Sequence, residues 1–151
     1  MPIGSKELGE SPTSHHNDRN WRLEVFARRV HGVVYAAVVS RDGWCVACIT
    51  NLDAAMSDQV AATTGRIVEY AQAAAQCFDG NNSVKQTVIE LAEDALICLV
   101  LLDAGAHLAV LAAAPDREQL AVDLCRLTEQ LNQNAAPRRA NGGESGGRFV
   151  S

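Results

Sequence analysis

The segment Trp44-Cys45-Val46-Ala47-Cys48 carries the most reactive spacing in the chain, W-C-x-x-C. Two thiols so spaced make a redox dithiol when the first sits at a helix N-terminus, where the helix dipole lowers its pKa. The surrounding sequence argues against that setting. Residues 40–49 read SRDGWCVACI, and Asp42-Gly43 is hairpin chemistry because both residues tolerate positive φ. Cys45 and Cys48 are therefore expected on the returning strand. Side chains alternate along a regular strand, so residues three apart point to opposite faces. On that expectation the two thiols neither pair nor share a metal. Thiol redox chemistry through Cys45/Cys48 stays only as an alternative, one that a helical segment would revive.

The other candidates for chemistry lack companions. A structural zinc site needs four placed ligands, and no second C-x-x-C and no H-x-x-x-H occurs. His15-His16 falls in a polar arm, His31 at a helix end, and His107 in a strand, where a hydrogen-bonded core histidine is the common case. Ser40, Ser57 and Ser83 have no G-x-S-x-G context. Glu90, Glu93 and Asp94 gather where a solvated hairpin tip is expected. Neither G-x-x-x-x-G-K-[ST] nor G-x-G-x-x-G is present, so GTP and NAD have no binding loop of those kinds. No catalytic residue, cofactor or metal is expected.

Composition narrows the partners. The net charge is −5 and the pI about 5.3. No Lys/Arg stripe could track a phosphate backbone, which excludes nucleic acid as the expected partner. The N-terminus has no apolar signal region, and the longest apolar run, 95–102, is too short to span a bilayer. A cytoplasmic protein is expected. Five cysteines in such a chain read as buried small hydrophobes. Aromatics are only 5% of the residues, so the core must be aliphatic and rich in alanine. Residues 1–17 and 135–151 are polar and without apolar period, and are expected to be a disordered arm and tail around one domain at 18–134.

The elements follow from periodicity. Leu23, Phe26, Ala27 and Val30 repeat at helical spacing and define a helix over 18–30, stopped by His31-Gly32. Residues 33–40 and 44–50 form a hairpin. A long helix, capped by Asn51 or Asp53, runs to about Phe78. Its apolar stripe is Met56, Val60, Thr63, Ile67, Ala71, Ala74 and Phe78. Asp79-Gly80-Asn81-Asn82 ends it. Three strands follow at 84–91, 95–102 and 106–113. The middle one has no polar residue and is expected to be covered on both faces. Pro115-Asp116 opens a last helix, with Asp116 and Gln119 spaced as a capping box. Ala54, Ala61, Ala62, Gly65 and Ala73 lie off the apolar stripe, and Ala61 and Gly65 are small enough for another backbone to come close. A mid-helix glycine costs about 1 kcal/mol relative to alanine, so a close neighbour is one reason to keep it. Strand 84–91 is a candidate open edge, which wants covering.

The order of these elements resembles the Roadblock (dynein light chain) superfamily, especially its bacterial MglB-like branch. The likeness rests on Val30-His31-Gly32-Val33, Ala36-Ala37-Val38-Val39-Ser40-Arg41-Asp42-Gly43, the long helix from Asp53, the stretch Phe78-Asp79-Gly80-Asn81-Asn82-Ser83-Val84-Lys85-Gln86-Thr87-Val88-Ile89-Glu90, and Ala106-His107-Leu108-Ala109-Val110-Leu111. It spans about residues 20–133. His31 stands where many relatives have proline, and Trp44, Cys45 and Cys48 are heavier than the usual residues. The resemblance implies an α-β-β-α-β-β-β-α sandwich. Its five-stranded antiparallel sheet has the long second helix on one face and the first and last helices on the other.

The resemblance further implies a homodimer with antiparallel long helices, whose third strands join two sheets, and no catalysis by the chain itself. The interface would use Ala61, Gly65, Val84, Gln86 and Val88. It implies a small Ras-like GTPase as partner, met by Ser57, Asp58, Thr64, Arg66 and Glu69, and a sensor histidine-kinase-like protein in the same bacterial system. A partner could recruit such a protein to a membrane. A passive dimeric adaptor is the alternative. Arg66 is not read as an arginine finger, because a helix arginine is usually solvated or ion-paired.

Overall fold

The computed structural model describes residues 11–78 and 83–135. Helix α1 covers Ser11–Arg29, strands β1 Val33–Val39 and β2 Cys45–Thr50, helix α2 Ala54–Ala75, strands β3 Gln86–Glu90, β4 Leu96–Leu101 and β5 His107–Ala112, and helix α3 Arg117–Ala135. The α-β-β-α-β-β-β-α order and the five-stranded antiparallel sheet are as expected. Helix α1 starts at Ser11 rather than at Asp18. The expected ending at Asp79-Gly80-Asn81-Asn82 lies outside the described residues, as does most of both expected tails.

The sheet order is β2-β1-β5-β4-β3, so β4 is an inner strand and β3 an edge, both as the sequence indicates. Alternation along the strands sorts side chains into two layers. Ala36, Val38, Cys98, Val100, Leu108 and Val110 pack against Leu23, Phe26 and Val30 of α1 and the Leu120, Leu124, Leu127 and Leu131 row of α3. Tyr35, Ala37, Val39, Leu99 and Ala109 face α2 through Ala61, with Val60, Ile67 and Val68 beside it. The helices therefore divide between the faces as expected, α2 alone on one side.

Local chemistry sets the boundaries. Gly32 has φ +94° and Gly43 φ +90°, conformations open to glycine. The Asp53 carboxylate accepts from the Met56 amide and starts α2. Asp116 accepts from the Glu118 and Gln119 amides and starts α3. The reciprocal half of the expected capping box is not made, because the Gln119 side chain donates to Asp123 instead.

Asp123 ties the two helices of the larger layer together. It is 3% exposed, and its carboxylate accepts from Arg29 of α1 at 2.8 Å, from Arg126 at 2.7 Å and from Gln119. Burial alone would push the carboxyl up. The hydrogen bonds from Arg29 and Gln119, with the charges of Arg29 and Arg126, outweigh burial and hold it below its ordinary value. Asp123→Ala is expected to cost about 2 kcal/mol, the worth of charge-assisted hydrogen bonds whose arginine partners can return to water. A folded-state value below the unfolded one means this stabilisation is complete above the ordinary carboxyl value of 3.8. It is lost as pH falls from there through the lower folded value, because the unfolded chain takes up the proton first. Acid denaturation of wild type and Asp123→Ala measures it: the gap between the two should close only in that acid window.

Candidate functional site

Helix α2 presents two faces, and the structure turns it differently from the expected stripe. Ala61 and Thr64 are its buried residues, with Val60, Ile67 and Val68 packed beside them. Met56 and Phe78, expected in the core, are exposed, and so is Tyr70 at 72%. The apolar stripe is really two stripes. One meets the sheet, and the other, Met56, Thr63 and Tyr70 at seven-residue spacing, points outward. Periodicity finds apolar faces but does not say which faces inward, so it does not single out Tyr70. Its heptad spacing from Met56 and Thr63 was the available signal.

This rotation sorts the expected site residues. Ala61, expected on the outward interface, is buried against the sheet and cannot contribute there. Thr64, expected on the partner surface, is 3% exposed and faces inward. Its hydroxyl lies 3.2 Å from the Ala61 carbonyl and 3.4 Å from His107 Nε2. With the Thr64 proton given to Ala61, His107 donates from Nε2. Burial holds its pKa below the ordinary imidazole value, so it is a neutral, hydrogen-bonded core histidine. Asp58, Arg66 and Glu69 are exposed, and Ser57 is half-buried with its Oγ unpartnered. Gly65 is half-buried, and a Cβ placed on it would meet nothing within 4 Å. On β3, Gln86 and Val88 are exposed and the nearby Val84 half-buried.

Arg66, Glu69 and Gly65 line one side of a groove of about 640 Å³. The β1–β2 turn (Ser40, Arg41, Asp42, Gly43) and the β4–β5 turn at Gly105 form the other side. Arg41 lies over Gly105, its guanidinium 2.6 Å from where a Cβ would stand. The groove pairs two cationic side chains with Asp42 and Glu69, so its charge is balanced. Ser40 and His107 also line it, but Ser40 Oγ accepts from the Trp44 amide and His107 Nε2 lies against Thr64, and no cluster of three His, Cys, Asp or Glu able to hold a metal exists among the described residues. The acidic hairpin tip is likewise structural in part, since Glu90 is ion-paired with Arg117 at 2.9 Å.

The cysteines depart from expectation. Only Cys98 is buried, while Cys45, Cys77 and Cys125 are exposed. The alternation argument for Cys45 and Cys48 also fails. The β1–β2 register pairs Val38 with Ala47 but Val39 with Cys45, so a bulge at Val46 absorbs one residue. Cys48 pairs with Ala37, and both side chains thus lie on the α2 side, where the Cys45 thiol donates to the Ala47 carbonyl at 3.4 Å.

Two layers of helix around an antiparallel sheet, with an outward apolar helix face and an open edge strand, define an interaction module. The Roadblock/LC7 domain model matches residues 19–112, and the chain belongs to that family. No curated protein matches it significantly. Among solved structures it is similar to a Roadblock/LC7 domain from Streptomyces avermitilis, at 25% identity and TM-score 0.68, over 77% of this chain and 96% of that one. MglB from Myxococcus xanthus is similar at 12% identity and TM-score 0.67, over 93% and 100%. The gliding protein MglB from Thermus thermophilus is similar at 18% identity and TM-score 0.69, over 87% and 96%. At those identities the two MglB structures attest the fold. No helix among the described residues is long and apolar enough to cross a membrane.

Proposed function

We propose that this chain is a non-catalytic, homodimeric regulatory or docking partner of a small Ras-like GTPase in a bacterial signalling system that includes a sensor histidine-kinase-like protein. The observation that carries the proposal is the outward apolar face of α2 in a chain of the Roadblock/LC7 family. Tyr70 and Met56 are unpartnered apolar surface on a regular element, which marks an interaction site. The resemblance of its motifs to the bacterial MglB-like branch supports the GTPase as the partner class. The domain so used spans 18–134.

In this reading two copies pack along α2 and join through β3, with Gly65, Val84, Gln86 and Val88 at the interface. Ser57, Asp58, Arg66 and Glu69 lie on or beside the surface offered to the GTPase. Each chain is a surface rather than a catalyst, and acts by holding the GTPase in one conformation. The protein works in the cytoplasm, and a partner carries it to any membrane it meets.

Gly65→Leu tests the interface without threatening the protomer, because open space surrounds that position. Light scattering is expected to give a dimer for wild type and a monomer for the variant, with unchanged far-ultraviolet circular dichroism. The partner is tested by calorimetry with a Ras-like GTPase from the same genome, loaded with GDP or with a non-hydrolysable GTP analogue. Binding that differs between the two states is the expected result. Equal binding to both would favour a passive adaptor, and no binding would remove the GTPase from the proposal.

A further inference from the structure

Strand β2 is one edge of the sheet and β3 the other. The ladders show which amides each edge offers to a further strand. The Asn51 amide donates to the Val34 carbonyl at 3.3 Å, so those two residues form a hydrogen-bonded pair. Such pairs alternate along an antiparallel ladder, and the register makes Ala37 and Cys48 a non-hydrogen-bonded pair. The Cys48 amide therefore points away from β1, toward the edge. There it donates to Asn20 Oδ1 of α1 at 3.1 Å. The Asn20 oxygen takes the position of a carbonyl on a further strand, which would run about 4.8 Å from β2. Cys48 is the central outward amide of this edge. The bulge at Val46 breaks the ladder on one side of it, and β2 ends at Thr50 on the other. Helix α1 packs chiefly against β2 and so holds Asn20 in place.

The opposite edge is built differently. The Leu101 amide donates to the Lys85 carbonyl at 3.0 Å, and the Leu91 amide to the Ala95 carbonyl at 2.8 Å. The same alternation turns the amides of Gln86, Val88 and Glu90 outward, along a ladder with no bulge. No hydrogen bond among the described residues reaches those amides. The two edges are thus unequal. A sheet with two open edges adds copies head to tail without limit, whereas a single open edge pairs once about a two-fold axis and is then used up.

We propose that Asn20 is an edge cap that ends the sheet at β2 and so limits self-assembly to two copies of this chain. The inference rests on the β3 join proposed above. Two copies joined at β3 make one continuous sheet with a β2 strand at each end, and Asn20 fills the pairing position at both ends. A third copy has no edge to enter. The cap works through its oxygen, which accepts the Cys48 proton as a neighbouring strand would but carries no backbone to continue the ladder. Without that acceptor the centre of β2 becomes a template for the β2 strand of another copy. Asparagine is a poorer helix former than alanine, and the bond to β2 accounts for its place inside α1.

The test is light scattering of the reduced full chain across a concentration series, with amide exchange at Cys48 and circular dichroism on the same samples. Wild type is expected at twice the chain mass of 16.1 kDa. Asn20→Ala suits the helix, and it should speed exchange at Cys48 about tenfold, the worth of one hydrogen bond. Its mass should grow past that of the dimer as concentration rises. Asn20→Asp keeps an acceptor for the Cys48 amide and should stay at the wild-type mass. Val88→Pro removes an outward amide that the β3–β4 ladder does not use, so the protomer tolerates it. Alone it should give monomers. Combined with Asn20→Ala it should give dimers again, now joined at β2. The proposal is overturned if Asn20→Ala exchanges faster at Cys48, keeps its fold and still has the wild-type mass at every concentration. It is also overturned if Asn20→Asp grows as Asn20→Ala does. A Val88→Pro variant that keeps the wild-type mass would sink the β3 join instead, and growth of Asn20→Ala beyond wild type would still uphold the cap.

Discussion

Gly32→Ala is expected to cost about 3 kcal/mol or more of folding stability, while Gly43→Ala costs about 1 kcal/mol. Both glycines have positive φ, so both substitutions force an L residue into a disfavoured conformation. They differ in their surroundings. A Cβ on Gly43 would meet nothing within 4 Å, whereas one on Gly32 would stand 2.3 Å from the Ala113 carbonyl oxygen. That oxygen cannot simply swing away. It belongs to the backbone just beyond β5, and the Ala113 amide donates to the Gly32 carbonyl at 2.8 Å. The junction between α1 and β1 therefore rests directly on the end of the central strand β5. Relief requires moving α1, whose Leu23, Phe26 and Val30 fill the larger core layer. Denaturant unfolding of the two variants measures the difference. Equal losses at Gly32 and Gly43 would show that conformation alone, and not the close approach, sets the cost.

Tyr70→Glu is expected to convert a dimer, at twice the chain mass of 16.1 kDa, into a folded monomer. The residue is 72% exposed in the single chain, so the substitution asks little of the protomer. In a two-fold interface along α2 every change occurs twice, once on each helix. Two carboxylates would be taken out of water beside Met56 and Thr63, and pairing each with Arg66, one helical turn away, would bury a second charge with it. Burying an unpaired charge costs several kcal/mol per ion, enough to dissociate an interface of this kind at micromolar concentration. Light scattering across a concentration series, with thermal unfolding of the same samples, separates dissociation from unfolding. A variant that stays dimeric would place the contact on another surface and would leave α2's outward face without its proposed use.

Much of the fold is legible in the sequence. Leu120, Leu124, Leu127 and Leu131 repeat at a spacing that only a helix can bring to one side. The all-apolar run 95–102, short and set between turn signals, reads as an inner strand. Asp53, Asp116, Gly32 and Gly43 mark boundaries through local hydrogen bonding and backbone freedom, which depend on a few adjacent residues. The accessibility of the candidate surface was legible in part. Gly65, Arg66, Glu69 and Asp58 do lie on accessible surface of α2, but Ala61 and Thr64 do not. A helix rich in alanine has several faces that could pass for apolar, and sequence period gives their spacing without their direction.

What the sequence determined by itself was therefore everything governed by near neighbours: the helices, the strands, their order, their caps and turns, and the absence of familiar nucleotide-binding loops. Tertiary structure alone decided three things. It chose which stripe of α2 meets Tyr35, Val39 and Leu99, and so left Tyr70 and Met56 outside. It made Asp123 a buried tie between helices distant in sequence. It also set a bulge opposite Val39 that brings Cys45 and Cys48 to one face. The reason is common to all three: each depends on the register and rotation of one element against another. Those are fixed by the packing of the whole core, and no local pattern of residue types encodes them.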